Sequence, residues 1–205
     1  MKVSGKNKSC TIKNPEDLKR IQLYLKINNY RAYILFTIAL ATGYRGSDLV
    51  KLTISDLKQA IKTKELNILE QKTENTRNKQ FVRRALISDK LVNILKEFVI
   101  GKDDCEYVYP SQKGKGKGKY KQHIRRDTLG KEFKKAVIEC GVDCDIVGTH
   151  TPRKTYGYFQ YLKHGKDINV VMELFGHSSQ RVTKAYIGID DDLLIESAKV
   201  MDCYI

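Results

Sequence analysis

The stretch of residues 31–42, RAYILFTIALAT, constrains the fold more than any other part of the chain. Apart from Arg31 it carries no charged side chain, and its length suits a helix better than a strand. A helix that is apolar on nearly all sides needs other elements to cover it. The stretch therefore predicts a buried helix. Gly43 ends it, because glycine adopts the left-handed conformation of a helix C-terminus without strain.

Other segments predict further helices. The first begins at Asn14, which suits an N-cap, with Pro15 in the first turn and acidic residues near the positive end of the helix dipole. Another is expected with Thr151 as its N-cap and Pro152 at its first position. Further helices are predicted over residues 47–52, 89–100, 128–140, 167–175, 179–186 and 191–202.

Two segments rich in β-branched and apolar residues predict a β-hairpin. They are ELNILE, residues 65–70, and QFVRRALI, residues 80–87, with the polar segment QKTENTRNK between them. Residues 55–61 are a candidate third strand. The fold class predicted from these patterns is mixed, mainly α with a small antiparallel β-sheet.

Length and charge limit the domain organisation and the classes of partner. The chain of 205 residues can bury one good core, with a net charge of +14. We predict a flexible basic arm over residues 1–13 and one domain over residues 14–205. A charge of this size favours polyanionic partners, although a solvated lysine-rich face also explains it. No run is long and apolar enough for a membrane span, and the N-terminus is not a signal peptide, so the cytoplasm is the expected location.

The five cysteines do not suggest a cross-linked or metal-binding protein. They are Cys10, Cys105, Cys140, Cys144 and Cys203, too scattered for a disulfide framework and without paired zinc-site spacing. We predict reduced, structurally neutral thiols and neither a metal nor a cofactor. Metal ligation by the pair at 140 and 144 with a nearby histidine is the less favoured alternative.

The segment from His150 to Tyr186 holds the candidate catalytic residues. It contains His-x-x-Arg at His150 and Arg153, Gly-His at Gly176 and His177, and Tyr186 nine residues later. Arginine binds phosphate oxygens in a bidentate way and keeps its proton, and a tyrosine hydroxyl can act as a nucleophile. This combination suits chemistry on a phosphodiester. Each residue alone is more often structural.

The segment resembles the C-terminal signature of the tyrosine recombinases, also called the phage integrase family. ATGYRGSDLVKL, residues 41–52, is similar to the first-arginine box of that family and offers Arg45. NILEQKTENTRNK is similar to the hairpin that carries the family's lysine, and Lys72 matches it, with Lys79 as a competitor. The chain resembles short, fimbrial-switch-like recombinases without a separate core-binding domain. Either it works as a compact single domain or it is the catalytic part of a longer chain; the starting Met1 favours the former.

The resemblance implies the fold of the DNA breaking-rejoining enzymes and a complete catalytic set. The implied residues are Arg45, Lys72, His150, Arg153, His177 and Tyr186. Tyr186 would attack a phosphodiester to form a 3′-phosphotyrosyl intermediate, without ATP or metal. His150 would accept the phenol proton, and Lys72 would protonate the departing 5′ oxygen. The arginines would bind the non-bridging oxygens, to which His177 would add a hydrogen bond.

The resemblance also implies double-stranded DNA as the partner. Lysines alternating with glycines, followed by two arginines, would contact phosphates without reading bases. These residues are Lys113, Lys115, Lys117, Lys119, Lys121, Arg125 and Arg126. An exposed loop kept soluble by charge is the alternative. A protein bound in this way would be associated with the nucleoid.

The function expected from these features is site-specific recombination, as an integrase of a mobile element. The alternatives are relaxation of DNA by a type IB topoisomerase and DNA binding without cleavage. The C-terminal helix, residues 191–202, has a short apolar face that must be buried. The resemblance implies a homotetramer on DNA in which this helix docks on a neighbouring subunit, and a monomer is compatible with the protein without DNA. Burial in the protein's own core is the alternative.

Overall fold

The structure is a computed structural model, and it describes residues 9–69, 82–112, 122–189 and 196–200. Its helices are α1 (Pro15–Asn28), α2 (Tyr30–Thr42), α3 (Gly46–Leu49), α4 (Ile54–Thr63), α5 (Asp89–Val99), α6 (Arg126–Glu139), α7 (Thr151–Lys163), α8 (Ile168–Phe175) and α9 (Gln180–Ile187). Residues 196–200 are also helical. The strands are β1 (Glu65–Leu69) and β2 (Val82–Leu86).

Helix α2 is the centre of the larger core. Ile34, Leu35 and Phe36 are completely buried, and α2 packs against α1, α5, α6 and α7. The prediction of a buried helix is confirmed. Gly43 ends α2 with φ of 65°, and a Cβ atom at this position would overlap the ring of Tyr156. Both observations explain why glycine is needed here.

The two strands form one antiparallel sheet, with Glu65 opposite Leu86 and Leu69 opposite Val82. The predicted fold class, mainly α with a small antiparallel sheet, is confirmed. The connecting residues 70–81 lie outside the described residues.

The candidate third strand over residues 55–61 is wrong, because helix α4 occupies this part of the chain. Thr53 and Asp56 form a capping box at its N-terminus. Ile54, Leu57 and Ala60 are buried, and their spacing of three residues places them on one face of a helix. The apolar pattern therefore has a helical period rather than the period of two that a half-buried strand requires.

The N-terminal strap, residues 9–13, packs against the domain, although the sequence predicted a flexible arm over residues 1–13. Ile12 is only 3% exposed, and its backbone N–H donates to Thr155 Oγ1 at 3.0 Å. The backbone N–H of Cys10 donates to the carbonyl oxygen of Ile146 at 2.7 Å. Burial of Ile12 favours the packed state. Residues 1–8 lie outside the described residues.

The prediction of reduced, neutral cysteines is wrong for one pair. Cys10 and Cys144 form a disulfide across 134 residues, with their Cα atoms 5.8 Å apart. Cys105 and Cys140 are free thiols, and position 203 lies outside the described residues. The packing of the N-terminal strap brings the paired cysteines together, and no local spacing could indicate this.

Candidate active site

Helix α7 presents His150 and Arg153 at its N-terminus. The sequence predicted Thr151 as the N-cap, but His150 occupies that position and Thr151 begins the helix. The Thr151 hydroxyl instead accepts a hydrogen bond from the backbone N–H of Gly148 at 3.1 Å. Pro152 fits the first turn, where no intrahelical partner for its nitrogen is needed. His150 makes no capping bond with its side chain, and its ring faces Tyr186 instead.

Arg153 is almost completely buried, at 1% exposure. Its guanidinium donates to the carbonyl oxygen of Gly43 and, at 3.4 Å, to that of Phe175. It also lies 4.2 Å from the centre of the Phe175 ring. Gly43 is the C-cap of α2 and Phe175 is the last residue of α8. The cation is therefore held at two helix C-termini, where the carbonyl groups carry partial negative charge.

Arg45 precedes α3 and lies close to the chain segment that leads into α7. The arginine is half-buried, with its Nη1 atom fully enclosed. A Cβ atom added to the adjacent Gly46 would collide with the side chain of Thr149, which precedes His150. This tight approach fixes the distance between the backbones that carry Arg45 and His150.

Tyr186 on α9 faces His150. The Tyr186 hydroxyl lies 3.1 Å from His150 Nδ1, and its ring packs edge-on against Phe175 at 5.5 Å and His177 at 5.4 Å between ring centres. Below it, a second core that includes Phe175 and Ile187 joins α7, α8 and α9. Gly157 of α7 permits this packing, since a Cβ there would overlap the Phe175 ring.

Burial and positive charge set the protonation states of this pair. Burial raises the pKa of Tyr186 above its ordinary value of 10.0, and Arg153, Arg45 and Arg83 oppose that rise. Burial lowers the pKa of His150 below 6.5, and the charge of Arg153 lowers it further. The unliganded pair is therefore a neutral phenol beside a neutral imidazole at pH 7. A neutral imidazole can accept the phenol proton.

His177 follows the end of α8, where Gly176 adopts φ of 64°. His177 Nδ1 lies 3.1 Å from Thr183 Oγ1 on α9. The structure thus brings Arg45, His150, Arg153, His177 and Tyr186 close to one another; their catalytic roles stay a prediction. Lys72 and its competitor Lys79 lie outside the described residues.

Sequence reasoning missed four residues of this site. Lys154 is 6% exposed, donates from Nζ to the carbonyl oxygen of Ser9 at 2.5 Å, and lies 5.4 Å from the centre of the Tyr186 ring. Arg83 of β2 is near enough for its charge to oppose the rise in the pKa of Tyr186. Thr183 of α9 contacts His177. Thr11 donates from Oγ1 to the carbonyl oxygen of Ile187 at 2.9 Å. None of the four belongs to a sequence motif, so the sequence alone does not indicate that they lie near the site.

A groove with a volume of about 790 Å³ adjoins Tyr186 between α6 and α9. Four of its cationic lining residues are Arg126, Lys131, Lys134 and Arg181. Arg126 was predicted to contact DNA, and it lies exposed at the start of α6, with the exposed Arg125 as N-cap. The predicted lysines at 113–121 lie outside the described residues. Within the described part of the chain, no group of three or more histidine, cysteine, aspartate or glutamate side chains is arranged to hold a metal ion.

Residues 14–192 match the family model described as the Phage integrase family. The chain belongs to the phage integrase family. The resemblance predicted from the sequence is therefore confirmed. The probable integrase/recombinase YoeC of Bacillus subtilis is 30% identical over 189 residues, which cover 92% of this chain and 94% of YoeC. The tyrosine recombinase XerD of Agrobacterium fabrum is 24% identical over 81% of this chain and 51% of its own length.

Solved structures of tyrosine recombinases and integrases share the fold. The XerH site-specific recombinase bound to a palindromic difH substrate, in a post-cleavage complex, matches 97% of this chain and 55% of its own, with a TM-score of 0.64 and 21% identity. The catalytic domain of bacteriophage HP1 integrase matches 93% of this chain and 94% of its own, with a TM-score of 0.56 and 20% identity. The integrase-family chain thus spans nearly all of some relatives and about half of others.

No helix among the described residues is both long enough and apolar enough to span a membrane.

Proposed function

We propose that this integrase-family chain is a site-specific DNA recombinase that cuts and rejoins duplex DNA through a 3′-phosphotyrosyl intermediate. The observation that carries the proposal is the 3.1 Å separation between the Tyr186 hydroxyl and His150 Nδ1, beside the buried guanidinium of Arg153. A nucleophile, a base and a fixed cation are the minimum that in-line attack on a phosphodiester requires.

In the first step, Tyr186 Oη attacks the phosphorus atom and its proton passes to His150 Nδ1. The bond from phosphorus to the 5′ oxygen breaks, and Lys72 donates the proton that the departing oxygen needs. Arg45 and Arg153 stabilise the charge on the non-bridging oxygens. The products are a 3′-phosphotyrosyl link and a free 5′ hydroxyl. Attack by a second 5′ hydroxyl reverses the step and rejoins the strands, so the number of phosphodiester bonds is conserved.

Double-stranded DNA is the proposed partner. Structural relatives are described as complexes with DNA, among them XerH with difH and the Tn1549 transposon integrase with a circular intermediate DNA. The groove beside Tyr186 carries cations at Arg126, Lys131, Lys134 and Arg181. Together with Arg125 and the lysines at 113–121, they would neutralise phosphates along the duplex.

Assembly as a homotetramer on DNA through the C-terminal helix is part of the proposal. Residues 196–200 are exposed, with Val200 at 61% exposure. Lys166 and Glu196 form an ion pair at 2.9 Å between exposed side chains. Exposed ion pairs contribute little stability, so this contact would not prevent residues 196–200 from docking on a neighbour. Head-to-tail docking of this kind closes into a ring by cyclic symmetry.

The test is covalent trapping on a nicked duplex taken from the junctions of the genetic element that carries the gene. Cleavage next to the nick releases a short fragment, so rejoining fails and a covalent protein–DNA adduct accumulates. Tyr186→Phe should bind the same DNA with unchanged affinity and give no adduct. An adduct that persists in this variant would assign the nucleophile elsewhere.

The same protein preparation separates the alternatives. Relaxation of supercoiled plasmid without exchange between two duplexes would favour the type IB topoisomerase. Tight binding with no adduct in the unmodified protein would favour a DNA-binding protein that does not cleave.

A further inference from the structure

The hydroxyl of Thr183 lies against the His177 ring. Its Oγ1 lies 3.1 Å from His177 Nδ1 and 3.0 Å from the carbonyl oxygen of Ser179. Thr183 is completely buried, so bulk water does not compete for either contact. We infer that Thr183 is a positioning residue that keeps a proton on His177 Nδ1 and directs Nε2 to the reacting phosphate. The inference rests on the proposed function.

A count of hydrogens assigns the direction of each bond. The Thr183 hydroxyl has one hydrogen, and the carbonyl oxygen of Ser179 has none to give. The hydroxyl therefore donates to Ser179, which is the usual bond of a helical threonine to the carbonyl four residues earlier. Toward His177 it offers a lone pair. Nδ1 must then carry a hydrogen, because two lone pairs at 3.1 Å would repel.

The assigned proton decides what the other ring nitrogen can do. With Nδ1 protonated, neutral His177 has a lone pair at Nε2 and can only accept there. Donation from Nε2 to a phosphate oxygen requires a second proton and the imidazolium form. Among the described residues, Tyr186 of α9 contacts this ring directly, and Arg153 of α7 is linked to it through the shared neighbour Phe175.

The two histidines of the site are therefore assigned opposite tautomers. His150 presents an unprotonated Nδ1 to the Tyr186 hydroxyl, as its role as a base requires. His177 presents a protonated Nδ1 to Thr183. The hydroxyl that each ring faces therefore decides whether its Nδ1 accepts a hydrogen bond, as in His150, or donates one, as in His177.

Nuclear magnetic resonance of protein with 15N-labelled histidine tests the tautomer without DNA. At about pH 9, where histidine side chains are ordinarily neutral, His177 should show hydrogen on Nδ1 and none on Nε2; His177→Gln assigns the signal. In Thr183→Val, which removes the acceptor with little change of shape, hydrogen should move to Nε2. Thr183→Ser should keep the original pattern. Hydrogen on Nε2 in the unmodified protein would overturn the inference.

Cleavage of the nicked duplex tests the consequence. Thr183→Val should form the Tyr186 adduct about 10- to 100-fold more slowly, by analogy with metal-binding histidines that lose the partner orienting their ring. Thr183→Ser should restore most of the rate. Thr37→Val is the matched control, because it removes a buried hydroxyl that accepts a hydrogen bond from Gln22 of α1, between residues that contact neither His177 nor Tyr186 in the described contacts. It should leave the cleavage rate unchanged.

The outcomes separate the two proposals. If the unmodified protein forms no adduct, the proposed function fails whatever the resonance spectra show. If it forms the adduct and Thr183→Val cleaves equally fast, the positioning role fails alone. A melting curve is measured for each variant. If Thr183→Val does not fold, the tautomer of His177 in the unmodified protein and the cleavage rate of Thr183→Ser still test the inference.

Discussion

Substitution of Gly46 by alanine should disable the site through one added carbon atom. The new Cβ would lie 2.7 Å from Thr149 Oγ1 and closer still to Thr149 Cβ, whereas ordinary contact begins at 3.4 Å. Gly46 has no left-handed φ, so the backbone itself tolerates alanine. Because Thr149 is buried and branched at Cβ, rotation of its side chain cannot relieve the collision. The backbones on either side, which carry Arg45 and His150, must separate.

The geometry sets the size of the effect. Overpacking of a rigid core costs about 1–3 kcal/mol of unfolding free energy. For a protein of this size, each kcal/mol lowers the melting temperature by about 2–4 °C. Misplacement of a catalytic group by about 1 Å costs about 100-fold in rate. Gly46→Ala should therefore melt several degrees lower and form the Tyr186 adduct about 100-fold more slowly, while its affinity for DNA changes little.

Gly130→Ala is the matched control, since it faces the same threonine from α6. A Cβ at Gly130 would lie 3.6 Å from Thr149 Cγ2, an ordinary contact. Alanine in a helix interior is favoured over glycine by about 1 kcal/mol, so this variant should melt slightly higher and cleave at the original rate. Thermal melting and adduct formation measured on both variants test the reasoning. Equal behaviour of the two alanine variants would refute it.

Three further predictions follow from other contacts. The rate of adduct formation should rise with pH and reach half its maximum below about pH 6.5, because burial and Arg153 lower the pKa of His150 and only neutral His150 accepts the proton. The free energy of unfolding should fall as pH drops below about 6.5, because the unfolded chain then binds a proton that folded His150 does not; His150→Gln should remove the pH dependence of the rate and weaken that of stability. Thr11→Val should slow cleavage more than it weakens DNA binding in a gel-shift assay, since Thr11 holds the carbonyl of Ile187 beside the nucleophile; equal losses would contradict this. Deletion of residues 190–205 should leave a folded, DNA-binding protein that is monomeric on its site by analytical ultracentrifugation; a large drop in melting temperature would place the segment in the protein's own core.

Much of the secondary structure could be predicted from local sequence patterns, because it depends on interactions between residues that are close in sequence. Asn14 caps α1 through a 3.0 Å bond to the backbone of Glu16, as its position before Pro15 indicated. The apolar run of α2 had to be buried, and it is. Residues 55–61 were wrongly predicted as a strand, although the spacing of Ile54, Leu57 and Ala60 is helical and the capping box at Thr53 marks the start of a helix.

Contacts between distant parts of the chain could not be predicted from the same patterns. Lys154 reaches Ser9 across 145 residues, and Arg153 reaches Gly43 across 110. The disulfide between Cys10 and Cys144 depends on the docking of the N-terminal strap. The family resemblance predicted that Arg45, His150, Arg153, His177 and Tyr186 belong to one site. It did not identify the residues that support them, because those are recognised only by packing.

Arg153 shows why stability and chemistry are hard to separate in this site. Its guanidinium stabilises the termini of α2 and α8 through the carbonyl groups of Gly43 and Phe175, and its charge also acts on Tyr186 and His150. Lysine would keep the charge but lose the planar fork, so it could not serve both carbonyl groups in the same geometry. Loss of activity after Arg153→Lys would therefore mix unfolding with lost catalysis. Tyr186→Phe separates the two effects, because the aromatic ring that packs on Phe175 and His177 remains and only the hydroxyl is removed.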